Sequence, residues 1–154
     1  MGYEQRARDA GVNLDMQLIR AGNFDTIVEV HDLLYVSGSI ALAEGGGAIA
    51  YAGRLGGDMD VEAGQASARG AGDAILASVH QHLDSGLDAV QRVIRLTGYV
   101  TSDPGFNDQP KVINGASDLM IEVFSDAGRH ARSAIGVAEL PLGASVEIEA
   151  IFQI

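Results

Sequence analysis

Cysteine is absent from the chain. Its absence excludes a disulfide scaffold, thiolate zinc sites, iron–sulfur clusters and cysteine nucleophiles. Tryptophan is also absent, and proline occurs only three times. Positive charge is scarce: 10 Lys and Arg stand against 21 Asp and Glu, a net charge of −11. Such a surface repels phosphate backbones and anionic lipid, so composition gives no support for a nucleic-acid or membrane partner. No apolar run approaches the roughly 20 residues a membrane helix needs. No basic-plus-apolar start marks a secretory leader. A cytoplasmic protein is expected.

What is present is a globular composition, 47% hydrophobic over 154 residues. A single domain spanning 1–154 is expected, with 1–16 as an N-terminal extension. A domain of this size buries roughly 68–70% of its unfolded surface. Twenty glycines imply many tight turns and close backbone approaches.

Patterning places a short helix over 3–10, ended by Gly11, and a short strand over 17–19. Thr26-Ile-Val-Glu-Val30 is β-branched and strand-like, His31-Asp32 is a turn, and 33–38 is a second, buried strand. These two strands form a hairpin. Residues 48–51 suggest another short strand, and Gly45-Gly46-Gly47 a hairpin tip.

Asp60 is an N-cap for a long helix, with Ala68, Gly72, Ile75, Leu76, Val79 and Leu83 at helical spacing and Gly86 as the stop. Glu62, Gln65, Arg69 and Asp73 occupy the opposite, polar face. Residues 92–101 read as a strand, followed by the Asp103-Pro104-Gly105 turn. Pro110 opens a second long helix with an apolar stripe from Val112 to Phe124, ended by Gly128. Strands over 131–138 and 146–152 follow and are expected to pair as a hairpin.

The order predicts an α+β, two-layer fold: a mixed, mainly antiparallel sheet with two helices on one face. Leu33-Leu34 and Val93-Ile94 send apolar residues to both sheet faces, which implies oligomerisation through the open face.

The four histidines, His31, His80, His82 and His130, lack the i,i+4 pairing and carboxylate of a zinc helix. No metal site is expected. The glycine run 45–47 lacks the lysine and following helix of a phosphate loop. The informative feature is Arg132, set among small and β-branched residues with Glu147-Ile148-Glu149 expected opposite. A buried guanidinium needs a carboxylate, from a neighbouring strand or from a ligand. Its planar fork fits a ligand carboxylate; a cross-strand Arg–Glu pair is the structural alternative.

The stretches Arg132-Ser-Ala-Ile-Gly-Val-Ala-Glu-Leu-Pro141 and Val146-Glu-Ile-Glu-Ala-Ile151 resemble the C-terminal signature of the RidA/YjgF family. Leu34-Tyr35-Val36-Ser37-Gly38 is similar to its hydrophobic-Ser-Gly strand, and Asn114 falls where the family has an asparagine. The resemblance covers residues 21–154 and points to a longer subgroup of about this length.

The resemblance implies a chorismate-mutase-like fold and a homotrimer with clefts between subunits. It implies reactive-intermediate (imine or enamine) deamination without metal or cofactor. Arg132 would bind the substrate carboxylate and Glu147 would help position or activate water. Phe24, Ser37, Gly38, Asn114 and Ala134 would line the pocket. Two positions depart from the family pattern. Ala134 stands where deaminases often have cysteine, and Phe24 where they often have tyrosine. Loss of those polar groups leaves open the alternative of a non-catalytic 2-keto acid or carboxylate-metabolite binding protein. Endoribonuclease activity, an older label for some members, fits the acidic charge poorly. The role of the loop 45–56 is left open.

Overall fold

A computed structural model of the chain describes residues 1–20, 22–44 and 48–154. The expected tip at Gly45-Gly46-Gly47 lies outside the described residues. On either side of it, Leu42 bridges Ile49 and the Ala43 amide bonds the Ala48 carbonyl.

Helix α1 spans Tyr3–Asp9, and Gly11 follows at φ +87°. The hairpin β1 (Ile27–Val30) and β2 (Leu33–Ser39) turns at His31, whose φ is +57°. Helix α2 covers Val61–His82, capped by the Asp60 carboxylate accepting from the Ala63 amide at 2.8 Å. Strand β3 is Arg92–Thr101, helix α3 Gln109–Phe124, strand β4 Ala131–Val137 and strand β5 Val146–Gln153.

Several sequence expectations are corrected. Residues 17–19 are not in a strand, and 48–51 contributes only an isolated bridge. Helix α2 stops at His82; Gly86 instead opens a 3₁₀ turn at φ +55°. Helix α3 ends at Phe124 with Ser125 at φ +56°, and Gly128 closes a second 3₁₀ turn. Asp73 is not on a solvated face: it is partly buried beside Arg69 and Glu122.

The sheet order is β1-β2-β5-β3-β4. Strands β4 and β5 therefore do not form the expected hairpin. β5 inserts antiparallel between β2 and β3, and β4 runs parallel to β3 at the edge. The physical reason is in their composition. β5 alternates strictly and sends Val146, Ile148, Ala150 and Phe152 to one face, all buried, so it takes the centre. β4 carries Arg132, Ser133 and Gly136, which an edge tolerates.

Helices α2 and α3 pack together on one face of the sheet, as the order of elements predicted. Every predicted apolar residue of α3, from Val112 and Ile113 through Val123 and Phe124, is buried there. The opposite face of the sheet is open. It carries Val28, Val30, Tyr35 and Ile135, each 45–49% exposed, among polar neighbours.

Candidate functional site

Register assigns each predicted site residue to a face. On β4, Arg132 lies opposite Leu96 of β3, which lies opposite Ala150 of β5. Leu96 and Ala150 face the helices, so Arg132 does too. Ala134, two residues on, shares that face and packs on the core. Glu147 lies opposite Tyr99 and alternates with the buried Val146 and Ile148, so it faces the open side. Arg132 and Glu147 of one chain thus sit on opposite faces with β3 between their strands. The expected cross-strand Arg–Glu pair does not form.

The Arg132 guanidinium bonds to α3 instead. Nη1 donates to Asn114 Oδ1 at 2.9 Å and to Ser117 Oγ at 3.0 Å, and Nη2 donates to the Pro110 carbonyl at 3.2 Å. A guanidinium has five N–H groups. Three are used here, two on Nη1 and one on Nη2. Among the described residues, the Nε hydrogen and the second Nη2 hydrogen have no acceptor. An Nε hydrogen with an Nη2 hydrogen is a pair through which a guanidinium receives a carboxylate bidentately.

Glu147 sits in a different setting. A cavity of about 340 Å³ brings it together with Phe24, Ser37 and Gly38. Its remaining walls are largely apolar: Leu18, Ile19, Leu42, Ile49 and Leu142. The β2–β5 register shifts between Val36 and Ser39, and this bulge carries Ser37 and Gly38. A Cβ at position 38 would overlap the Glu147 carboxylate, so glycine there is a condition for the acid's placement. Ser37 Oγ donates to the Asp25 carbonyl at 2.8 Å and ties the strand to the segment before β1. Burial first, and the neighbouring Glu149 second, raise the Glu147 carboxyl above its ordinary pKa. Tyr99 beside it is also raised, by burial and by Glu149, whose Oε1 accepts from the phenol at 3.3 Å.

The predicted residues therefore gather into two half-sites. One holds Arg132, Asn114 and Ala134; the other holds Glu147, Phe24, Ser37 and Gly38. Sequence reasoning missed Ser117 and the Pro110 carbonyl. Ser117 is three residues after Asn114, the spacing that places both on one helix face, which was the available signal. The apolar wall from Leu18, Ile19, Leu42, Ile49 and Leu142 had no local signal, because it collects from distant loops.

Two of the histidines face carboxylates. His80 Nδ1 lies 2.7 Å from Glu4 Oε1, and His82 Nε2 lies 3.2 Å from Glu29 Oε2. Among the described residues, no group of three His, Cys, Asp or Glu is placed to hold a metal. Among the same residues, no helix is long and apolar enough to cross a membrane.

A mixed five-stranded sheet backed by two helices on one face is the chorismate-mutase-like architecture. Residues 4–152 match the family model described as "YjgF/chorismate mutase-like, putative endoribonuclease", and the chain belongs to that family. It is 39% identical to Protein TCP17 of Trypanosoma cruzi over 94% of this chain and 89% of that one. A protein of unknown function from Agrobacterium tumefaciens is 42% identical, covering 99% of this chain and 92% of its own, with a TM-score of 0.88. TdcF of E. coli, solved with bound serine, is 27% identical over 88% of this chain and 91% of its own, with a TM-score of 0.63.

Proposed function

We propose that the protein hydrolyses 2-imino carboxylates to 2-keto acids and ammonia, in clefts between subunits of a homotrimer. The observation that carries this reading is the Arg132 guanidinium, held by three acceptors, with Nε–H and one Nη2 hydrogen unpaired among the described residues. That pair would take the substrate carboxylate and fix the adjacent C=N carbon, supplying orientation. Glu147 of a neighbouring subunit would then accept a proton from water as its oxygen bonds that carbon. A carboxylate with a raised pKa is the stronger proton acceptor. Protonated Glu147 delivers that proton to the nitrogen, the hydroxyl proton of the tetrahedral adduct is transferred to the nitrogen as well, and as the C–N bond breaks the carbonyl forms and ammonia leaves. Water is consumed once per imine. The step needs neither electrons nor a cofactor.

The opposite-face placement of Arg132 and Glu147 supports a shared site, since two copies meeting through their open faces and edges can bring the two half-sites together. The apolar cavity wall supports substrates with branched or aromatic side chains over small polar ones. The bound serine of TdcF supports a small amino-acid skeleton as the ligand class within the family.

The absence of polar groups at Ala134 and Phe24 favours a second reading, binding of 2-keto acids without turnover. One experiment separates the two. An amino-acid oxidase generates the imine in the presence of semicarbazide, and the protein competes with this trap. We expect wild-type protein to divert branched-chain imine to keto acid and Arg132→Ala to divert none. If wild type diverts no imine yet binds the keto acid, the second reading replaces the first. Mixing Arg132→Ala with Glu147→Gln chains tests the shared cleft: activity reappears only if one site draws on two subunits.

A further inference from the structure

Behind Arg132 lies a chain of hydrogen bonds that the catalytic reading does not use. His130 Nδ1 is 2.6 Å from the Gly128 carbonyl, and its Nε2 is 3.0 Å from Ser117 Oγ. A carbonyl oxygen can only accept, so the Nδ1 position carries the hydrogen. In the neutral ring Nε2 is then an acceptor, and it takes the Ser117 hydroxyl hydrogen. With that hydrogen committed, Ser117 turns a lone pair toward Arg132 Nη1 at 3.0 Å.

We infer that His130, in its neutral Nδ1–H form, is a positioning residue that orients Ser117 and through it the carboxylate-binding edge of Arg132. The inference rests on the reading of Arg132 as the substrate's carboxylate anchor. Ser117 is buried on α3 and His130 is partly buried between the 3₁₀ turn 125–128 and β4. The charged group acting on the imidazole is Arg132, on the strand β4 that follows it. From α3 the ring meets the uncharged Ser117, and from the 3₁₀ turn the Gly128 carbonyl, while Asp126 is turned toward Arg129. Burial lowers the His130 pKa below its ordinary value; the Gly128 bond opposes this and the Arg132 charge adds to it. The neutral ring the relay requires is the favoured one at pH 7.

Without the relay, Nη1 loses an acceptor and the guanidinium swings about its remaining bonds to Asn114 and Pro110. The loss falls on carboxylate binding, not on water attack, because Glu147 and its cavity are untouched.

The test uses the full chain and 4-methyl-2-oxopentanoate as a stable carboxylate probe, with calorimetry for Kd and imine kinetics for KM and kcat. His130→Phe and Ser117→Ala are expected to weaken Kd and raise KM by ~10-fold each, with little change in kcat. The double variant should be no worse than either single one, because both break one chain. His130→Gln, whose amide oxygen can accept from Ser117, should return within ~3-fold of wild type. Histidine ¹⁵N spectra of the wild type should show a neutral Nδ1–H ring at pH 7. An Nε2–H tautomer overturns the inference even if every variant misfolds. Unchanged Kd in both single variants, with Arg132→Ala abolishing binding, overturns the relay and keeps the anchor. Unchanged binding in Arg132→Ala overturns both.

Discussion

Gly38 and Glu147 are coupled by space: a side chain at 38 would occupy the volume of the Glu147 carboxylate. Gly38→Ala is therefore expected to displace the acid and lower kcat for imine hydrolysis by at least ~10-fold while keto-acid affinity, set by Arg132, holds. Kinetics beside calorimetry check this. Glu147→Gln should lower kcat by ~10²-fold, the usual scale of general base loss. The raised pKa of Glu147 also has a kinetic sign. As pH falls through it the base protonates, so kcat declines on the acid side, starting above the ordinary glutamate range. A pH–rate profile of wild type shows this limb, and Glu147→Gln should lack it.

Helix α2 carries a destabilising charge. Burial pushes Asp73 up to about 6, against the pull of Arg69 and with a further push from Glu122. The folded state then holds a proton that the unfolded state, at about 3.8, has released. Stability accordingly falls as pH rises from about 4 to about 6. The whole shift corresponds to about 3 kcal/mol, and residual solvent contact reduces it to about 1–2 kcal/mol. Asp73→Asn should gain that amount at pH 7 and nothing below pH 4, measured by denaturant unfolding. The α2–α3 interface has an opposite sensitivity. A Cβ at Gly115 of α3 would collide with the Gln65 backbone carbonyl of α2. Gly115→Ala is expected to cost about 2–3 kcal/mol, because backbone, unlike a side chain, cannot turn aside. Both elements were legible from their 3.6-residue stripes, and the Asp60 cap was legible from its residue type. Their ends were not: α3 stops at Ser125, three residues before Gly128, because the Ser125 backbone turns to φ +56°. Nothing in the local pattern marks a serine for that conformation.

At the scale of the molecule, the open sheet face sets the expectation. Val28, Val30, Tyr35 and Ile135 leave an apolar surface that one chain cannot cover. Light scattering should return three times the 16.0 kDa chain mass. Ile135→Asp should shift it toward the monomer and abolish turnover, since the two half-sites face opposite ways within one chain. A monomer that retains full activity would refute the shared cleft.

The five strands of the sheet, the helices and the layer arrangement could be read along the chain because each follows from a local period, 2 or 3.6, and from residues that cap or break it, whereas the short apolar stretches 17–19 and 48–51 read as strands and are not. Arg132 and Glu147 were also legible, as charged side chains in segments otherwise built for burial. Their relation was not. Consecutive strands usually pair, yet β5 leaves β4 at the edge and enters between β2 and β3, where its apolar face is covered by α2. That single choice of neighbour puts β3 between the arginine and the glutamate, one register step decides which face each presents, and α3 supplies the acceptors that hold the guanidinium. Strand order and cross-element hydrogen bonds depend on packing between segments far apart in the chain, and a local pattern carries no record of them.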